Sequence, residues 1–398
     1  MDIYRESLKF HEKYRGKLEI KGKTRLRTKH DLSLAYTPGV AAVCREIAKN
    51  PTAAYRYTIK SNTVAIVTDG SAVLGLGNIG GLAAIPVMEG KAMLFKEFAG
   101  IDAFPICFKD YHVDFIEDIK NIAPVFGGIN LEDIAAPKCF EVEESLQDIG
   151  IPVMHDDQHG TAIVLLAALI NACKATKKRM EDLTVVINGA GAAGTAVARL
   201  LKCTGINKKI CRSVRDILVL DRKGIIWKGR EDLKNNRYKQ MLAQITNREI
   251  RKGNLEDALR GADVFIGVSV GNLLKEGMIR SMNKGPIIFA MANPIPEIMP
   301  DRARKAGASV VGTGRSDFPN QINNVLAFPG VFRGALDARA TRITDEMKIS
   351  AAYALANYVK NPSCSRVVPN PLDRGVAKAV ARAVTKAAES CGCARRQG

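Results

Sequence analysis

Leu183 to Gly205, LTVVINGAGAAGTAVARLLKCTG, opens with a β-branched apolar run, passes through Gly189-x-Gly191-x-x-Gly194 and continues with helical spacing. Strand, glycine loop and helix in that order suit a dinucleotide pyrophosphate. One glycine makes the tight turn, one lets the backbone approach the phosphates, and one lets the helix pack on the strand. Ala192 and Ala193 complete the loop, so Gly189, Gly191, Ala192, Ala193 and Gly194 are assigned to the cofactor. The next apolar run, Ile217 to Leu220, ends on Asp221, where a carboxylate can accept hydrogen bonds from ribose hydroxyls. Asp221 stands 27 residues after Gly194, and the basic insert 207–215 accounts for the extra length. Further strands are expected at 263–268, 286–291 and 309–312 with helices between them. This alternation predicts an α/β fold built on a Rossmann-type doubly wound parallel sheet.

Upstream of that unit, Gly127 to Thr161 carries two acidic pairs, Glu132-Asp133 and Asp156-Asp157, each closing a short apolar run. Short apolar runs bounded by Gly and Pro read as buried strands, which places each pair at a strand's C-terminal edge, where open α/β sheets bind ligands. Carboxylates on adjacent strand ends form a hard-oxygen site for Mg²⁺ or Mn²⁺; the plainer alternative is that they cap helices. Further upstream, Thr63 to Gly81 reads as a strand, an Asp-Gly turn and a glycine-rich segment. Pro86 to Ile106 places Lys91 at a helix start, and a lysine beside buried carboxylates can serve as acid or base. Tyr36 precedes a turn at Thr37-Pro38-Gly39 and a helix. His155-Asp-Asp-Gln-His159 has the histidine spacing of a zinc-protease motif, but Asp156 stands where that motif needs Glu, and the segment straddles a strand end. Packing or supporting roles suit these histidines better.

At 398 residues, with 46% hydrophobic and 25% charged side chains, the chain has material for two or three globular domains. The first 17 residues have no apolar core for a signal peptide, and the apolar run Ala162 to Ile170 is short for a bilayer, so a cytoplasmic protein with no membrane partner is expected. Nine cysteines without a C-x-x-C suggest neither a disulfide framework nor a zinc knuckle, and Cys391 and Cys393 read as part of a frayed tail. The net charge of +18 is unevenly spread: residues 199–260 hold 17 Lys/Arg against 7 acids, whereas residues 61–160 hold 5 against 16. No zinc-finger spacing or RNP-like aromatic run accompanies the basic parts, so a basic face that attracts anionic substrate and cofactor is expected rather than a nucleic-acid partner.

Tyr36-Thr-Pro-Gly-Val, Thr68-Asp-Gly with Leu74-Gly-Leu-Gly, Gly90-Lys91, Glu132-Asp133, His155-Asp-Asp-Gln-His-Gly-Thr161, the Gly189 fingerprint, Asn293-Pro294, and Asn323-Asn324 with Phe328-Pro-Gly330 together resemble the malic enzymes in their short bacterial and archaeal form. The resemblance implies oxidative decarboxylation of L-malate to pyruvate and CO₂ with NAD or NADP, the closely related malolactic conversion to lactate being the alternative. It implies a cation held by Glu132, Asp133 and Asp157 as a Lewis acid, with Lys91 as general base oriented by Asp156. Tyr36 is then the acid that protonates C3, and Asn293 and Asn324 bind substrate carboxylates, Asn293 being counted with the cofactor site as well. Longer eukaryotic members have an arginine in the segment corresponding to 70–74, where this chain has Ala72. The implied division is a substrate and metal domain at 1–158, a dinucleotide domain at 159–323, and C-terminal helices at 324–398 that pack back on the first domain. A homodimer or larger homo-oligomer is implied too. Asp221 favours NAD and the adjacent Arg222 and Lys223 favour NADP; the strand-fixed carboxylate tips the expectation to NAD.

Overall fold

The protein is described by a computed structural model covering residues 3–73, 75–207 and 210–395; Leu74 of the glycine-rich motif and Lys208 and Lys209 of the basic insert lie outside the described residues. Two sheets organise it. The first contains β1 (Thr63–Thr68), β2 (Asp102–Cys107), β3 (Gly128–Leu131) and β4 (Val153–His155), in the order β2-β1-β3-β4 with every pairing parallel. The second contains β5 (Thr184–Asn188), β6 (Asp216–Asp221), β7 (Gly224–Ile225), β8 (Val264–Gly267), β9 (Ile287–Ala290) and β10 (Val310–Thr313). Its order is β10-β9-β8-β5-β6-β7, parallel except for the short hairpin strand β7. Strand order reverses between β5 and β8, so the glycine loop after β5 opens at the switch point where doubly wound sheets bind ligands. Both interiors are continuous apolar runs because helices cover both faces of a parallel sheet. β1, for example, is buried along its whole length.

Two glycines show why the loop after β5 takes its shape. Gly189 has φ +130, and a Cβ on Gly194 would lie 1.8 Å from the Gly189 carbonyl oxygen, so the helix Ala192–Leu201 can start this close to the strand only with glycine there.

The helix Asp156–Thr176 leaves β4 directly and joins the two sheets. At 21 residues it is long and apolar enough to cross a bilayer, but two thirds of its apolar window is buried in this core. The helix Asp345–Tyr358 packs on it, and the helices Phe328–Asp337 and Arg374–Ser390 pack on that helix, on each other and on Gly80–Ala99. Phe95 of the first unit packs edge-on to Phe328 and Phe332, with ring centroids 4.8 and 5.4 Å away. One apolar cluster therefore runs from Val64 and Met88 through Leu166 to Val185 and Val331. Truncating Phe95 would cost about 3–5 kcal/mol by the usual large-to-small rule.

Three features differ from the sequence reading. The helix carrying Lys91 starts at Gly80, not near Pro86, and runs to Ala99, so Lys91 sits mid-helix. Pro86 falls in its second turn, where a proline is a misleading start signal. Cys203 and Cys211 form a disulfide across the basic insert, where nine cysteines, an odd number without a C-x-x-C, had suggested none. The Cys391–Arg395 segment is held, not frayed: Cys393 is buried, Thr341 N donates to its carbonyl at 2.9 Å, and Arg395 donates to Tyr55 Oη at 2.6 Å.

Candidate active site

Register brings the two acidic pairs together. Leu131 of β3 lies opposite His155 of β4, so Glu132-Asp133 and Asp156-Asp157 leave neighbouring strand ends at the same level. Glu132, Asp133 and Asp157 can each offer an oxygen within 4.8 Å of the others. Asp133 has φ +52, a conformation uncommon outside glycine, and its N–H donates to Asp157 Oδ2 at 2.9 Å. The glycine-rich loop braces this corner: Ala72 N donates to the Asp133 carbonyl at 2.9 Å, and Ala135 N donates to Ser71 Oγ at 2.9 Å. Burial, with Asp157 and Glu132 alongside, pushes the Asp133 carboxyl up to about 9. Burial pushes Glu132 and Asp157 up too, opposed by Lys91. Three crowded, desolvated carboxylates that resist ionisation together fit a hard divalent cation, whose charge would relieve them.

Lys91 is almost fully buried against this cluster, forms an ion pair with Glu132, and donates to Asp156 Oδ2 at 2.5 Å. Burial disfavours its charge, but Asp156 and Glu132 outweigh that and hold the ammonium above its ordinary range. The ring of Phe328 lies below it, 4.5 Å from Nζ. Asp156 is fully buried; burial pushes it up to about 8 against the pull of Lys91. Its Oδ2 also accepts from Asn324 Nδ2 at 2.5 Å, while its Oδ1 has no partner among the described residues. Gly160, one turn on, makes room for it, since a Cβ there would meet Asp156 Oδ1 at 1.8 Å. Asn324 follows the last strand of the second sheet, so the Lys91–Asp156–Asn324 group spans both units.

Asn293 lies beyond β9, its Nδ2 donating to the Met291 carbonyl at 3.3 Å, and its own carbonyl faces Gly75 of the first unit's loop, where a Cβ would approach to 3.1 Å. Tyr36 stands apart. It caps the Lys29–Ala35 helix, is 68% exposed, and makes no side-chain hydrogen bond to the cluster within one chain among the described residues. The two histidines of the protease-like pattern part company: His159 Nε2 lies 2.9 Å from Glu143 Oε2, whereas His155 is fully buried, 3.8 Å from Asp157, without a ring hydrogen bond among the described residues, and driven down to about 4 by burial.

The comparisons agree with this geometry. Residues 15–112 match the family model described as malic enzyme, N-terminal domain, and residues 158–389 match malic enzyme, NAD binding domain. The chain belongs to the malic enzyme family. It is 56% identical over 399 residues to a bifunctional malic/malolactic enzyme of Bacillus subtilis (99% of this chain, 95% of that protein). It is 53% identical to an NAD-dependent malic enzyme of Geobacillus stearothermophilus (96% and 78%). The crystal structure of malic enzyme from Pyrococcus horikoshii superposes with a TM-score of 0.92 at 47% identity, covering 100% of this chain and 93% of that one. Family and fold thus stand as the motifs implied, as do the dependence on NAD(P) and a divalent cation.

In this member of the family the dinucleotide edge is less simple than the Gly189 motif suggests. Gly191 has nothing within 4 Å of where a Cβ would sit, leaving the helix N-terminus open for a pyrophosphate. Asp221, however, is already engaged: its Oδ2 accepts from Arg230 at 2.5 Å and Lys239 at 2.6 Å, and its Oδ1 from Lys223 N at 3.0 Å. These bonds overcome burial and hold the carboxyl down at about 2. Sequence reading missed Arg230 and Lys239, which follow Asp221 by 9 and 18 residues with no motif to mark them. It also missed Glu143, although one signal was present: Glu143 lies four residues after buried Cys139, on the inward face of the helix Lys138–Ser145.

Proposed function

We propose that this chain converts L-malate to pyruvate and CO₂ with net reduction of the dinucleotide, using NAD more efficiently than NADP. The observation that carries this is the Lys91–Asp156–Asn324 group beside the three-carboxylate cluster, at the edge where the two units meet. Glu132, Asp133 and Asp157 hold the divalent cation, and Gly189 to Gly194 hold the pyrophosphate. When bound, the cation would supply a Lewis acid and the dinucleotide a hydride acceptor. Once a cation neutralises the neighbouring acids, Lys91 would release its own proton to solvent, and the neutral amine would then take the hydroxyl proton while Asp156 keeps its Nζ aimed. Asn324 and Asn293 offer amide donors to the substrate carboxylates. After the C3–C4 bond breaks and CO₂ leaves, Tyr36 protonates C3.

The role of Tyr36 implies assembly. The helices Ile3–Tyr14, Lys29–Ala35 and Val40–Lys49 have no buried residue, and this arm exposes Leu8, Phe10, Leu18, Ile20, Leu34 and Val40. So much apolar surface on one arm suits a homodimer in which the arm is covered and Tyr36 is brought to an acid cluster. The same reading divides the chain near residues 158 and 323 and places it in the cytoplasm. Asp221 at the end of β6 supports NAD, while Arg230 and Lys239 beside it soften the repulsion of a 2′-phosphate, so NADP is used as well. The bifunctional name of the Bacillus subtilis relative favours lactate as a second product of the same site.

Incubation with L-malate, Mn²⁺ and either dinucleotide, followed by assay of reduced cofactor, pyruvate and lactate, tests this. Pyruvate matched by reduced cofactor, faster with NAD, is expected. Lactate without net reduction would reassign the reaction to the malolactic alternative.

A further inference from the structure

Resting on the cation reading, we infer that Glu143 is a positioning residue for the divalent cation: it pins the turn that carries Asp156 and Asp157 without touching the cluster itself. The helix Asp156–Thr176 starts directly from β4, and its N-cap residue His155 supplies no capping side chain. Helix starts leave backbone N–H groups without intrahelical acceptors. Glu143, from the helix Lys138–Ser145, satisfies this one from outside. Its Oε1 accepts from His155 N at 3.0 Å, and its Oε2 accepts from Gln158 Nε2 at 3.2 Å and lies 2.9 Å from His159 Nε2.

All three partners fall within five consecutive residues. Helical periodicity turns residues 158 and 159 back toward the side of residue 155, and turns 156 and 157 away from it. One face of the first turn is thus tied to Glu143, while the other presents Asp156 to Lys91 and Asn324, and Asp157 to Asp133. Slack in the first face is transmitted directly to the second.

Glu143 is itself buried beside this acid cluster and needs a counter-charge. His159 supplies one contact, and behind it Lys348 of the helix Asp345–Tyr358 lies 3.4 Å from His159 Nε2 and 3.0 Å from Asp345 Oδ1. With His159 Nε2 donating to Glu143, the same nitrogen cannot accept from Lys348, so Lys348 contributes its charge to Glu143 while its ion pair with Asp345 fixes it on the C-terminal helix. Groups that orient metal ligands without binding the ion commonly change affinity by about 10–100-fold when lost.

The test is the Mn²⁺ dissociation constant of the full chain without substrate, from the electron paramagnetic signal of free Mn²⁺, in wild type, Glu143→Gln and His159→Gln. Dinucleotide affinity and circular dichroism are recorded alongside. Glutamine keeps the shape of Glu143 but turns an amide donor toward donors. Glu143→Gln should weaken Mn²⁺ by about tenfold or more, and His159→Gln by about threefold to tenfold, with dinucleotide affinity unchanged in both. A folded Glu143→Gln that binds Mn²⁺ as wild type does would overturn the proposal. So would an equal weakening of Mn²⁺ and dinucleotide, which marks general loosening. Should Glu143→Gln not fold, an unchanged Mn²⁺ affinity in His159→Gln is decisive against it. A wild type that takes up no Mn²⁺ overturns the cation reading and this inference together.

Discussion

Each sheet of this protein carries a carboxylate at the C-terminal edge of a strand, and the two keep opposite company. Asp133, beyond β3, stands among Glu132, Asp157 and Asp156 and is pushed up to about 9. Asp221, at the end of β6, is held by Arg230 and Lys239 and lies at about 2. At the first site a single ammonium, Lys91, faces four acids, and the excess of negative charge suits a cation. The second is already neutralised and can meet either a ribose hydroxyl or a phosphate. Equivalent positions at the C-terminal edge of a parallel sheet are therefore made different by the cations that other segments bring to them.

Removing a ligand from the crowded site should have the largest effect. Asp157→Ala should bring Mn²⁺-dependent malate oxidation down to the background measured after exhaustive chelation, because Asp157 both offers an oxygen and accepts from Asp133 N. Full turnover in that variant would mean that the acid cluster is no metal site.

Next come the proton carriers. Lys91→Ala should slow hydride transfer from malate by about 10²–10⁴-fold, the usual worth of a general acid or base. Tyr36→Phe should spare reduction of the dinucleotide better while slowing pyruvate release by about 10²-fold. Single-turnover kinetics following both products separate the two, and wild-type rates in both variants would remove these residues from the chemistry.

A smaller effect concerns discrimination at the second edge. Asp221→Ser should shift the ratio of kcat/KM values for NAD and NADP by about tenfold toward NADP, the worth of one charge-assisted hydrogen bond. Lys239→Gln should move it the other way. An unchanged ratio in both would show that the clamp on Asp221 is structural only.

The smallest effect is in pH dependence, where the two sites should have opposite signs. Because the folded chain keeps a proton on Asp133 up to about 9, against an ordinary value of 3.8, this group's contribution to stability is greatest at low pH and is lost as pH rises through that window. Mn²⁺ competes with that proton, so it should raise Tm more near pH 8 than near pH 6. Asp221 works the other way: its contribution is fully present above 3.8 and is lost as pH falls through about 2. A Mn²⁺-induced rise in Tm that is the same at both pH values would show that the acid cluster is not protonated without its ion.

What the sequence by itself determined is local. Gly189, Gly191 and Gly194 follow a β-branched run, and their spacing alone specifies the tight turn and close packing of a dinucleotide loop. Apolar runs ending in Glu132-Asp133 and Asp156-Asp157 placed both pairs at strand ends. Both are properties of a few adjacent residues, so both were legible. The tertiary structure decided which distant side chains surround them. Lys91 lies 65 residues from Asp156, and Asn324 lies 168 from it. Glu143, Arg230 and Lys239 carry no motif, because a single side chain can satisfy a buried charge from any element that passes within reach. Among the described residues the three helices of the arm carrying Tyr36 bury no side chain, so packing within one chain does not bring Tyr36 to the acid cluster. Sequence spacing governs how a chain turns; the sign and strength of the field at each strand end follow from which elements the fold packs against it.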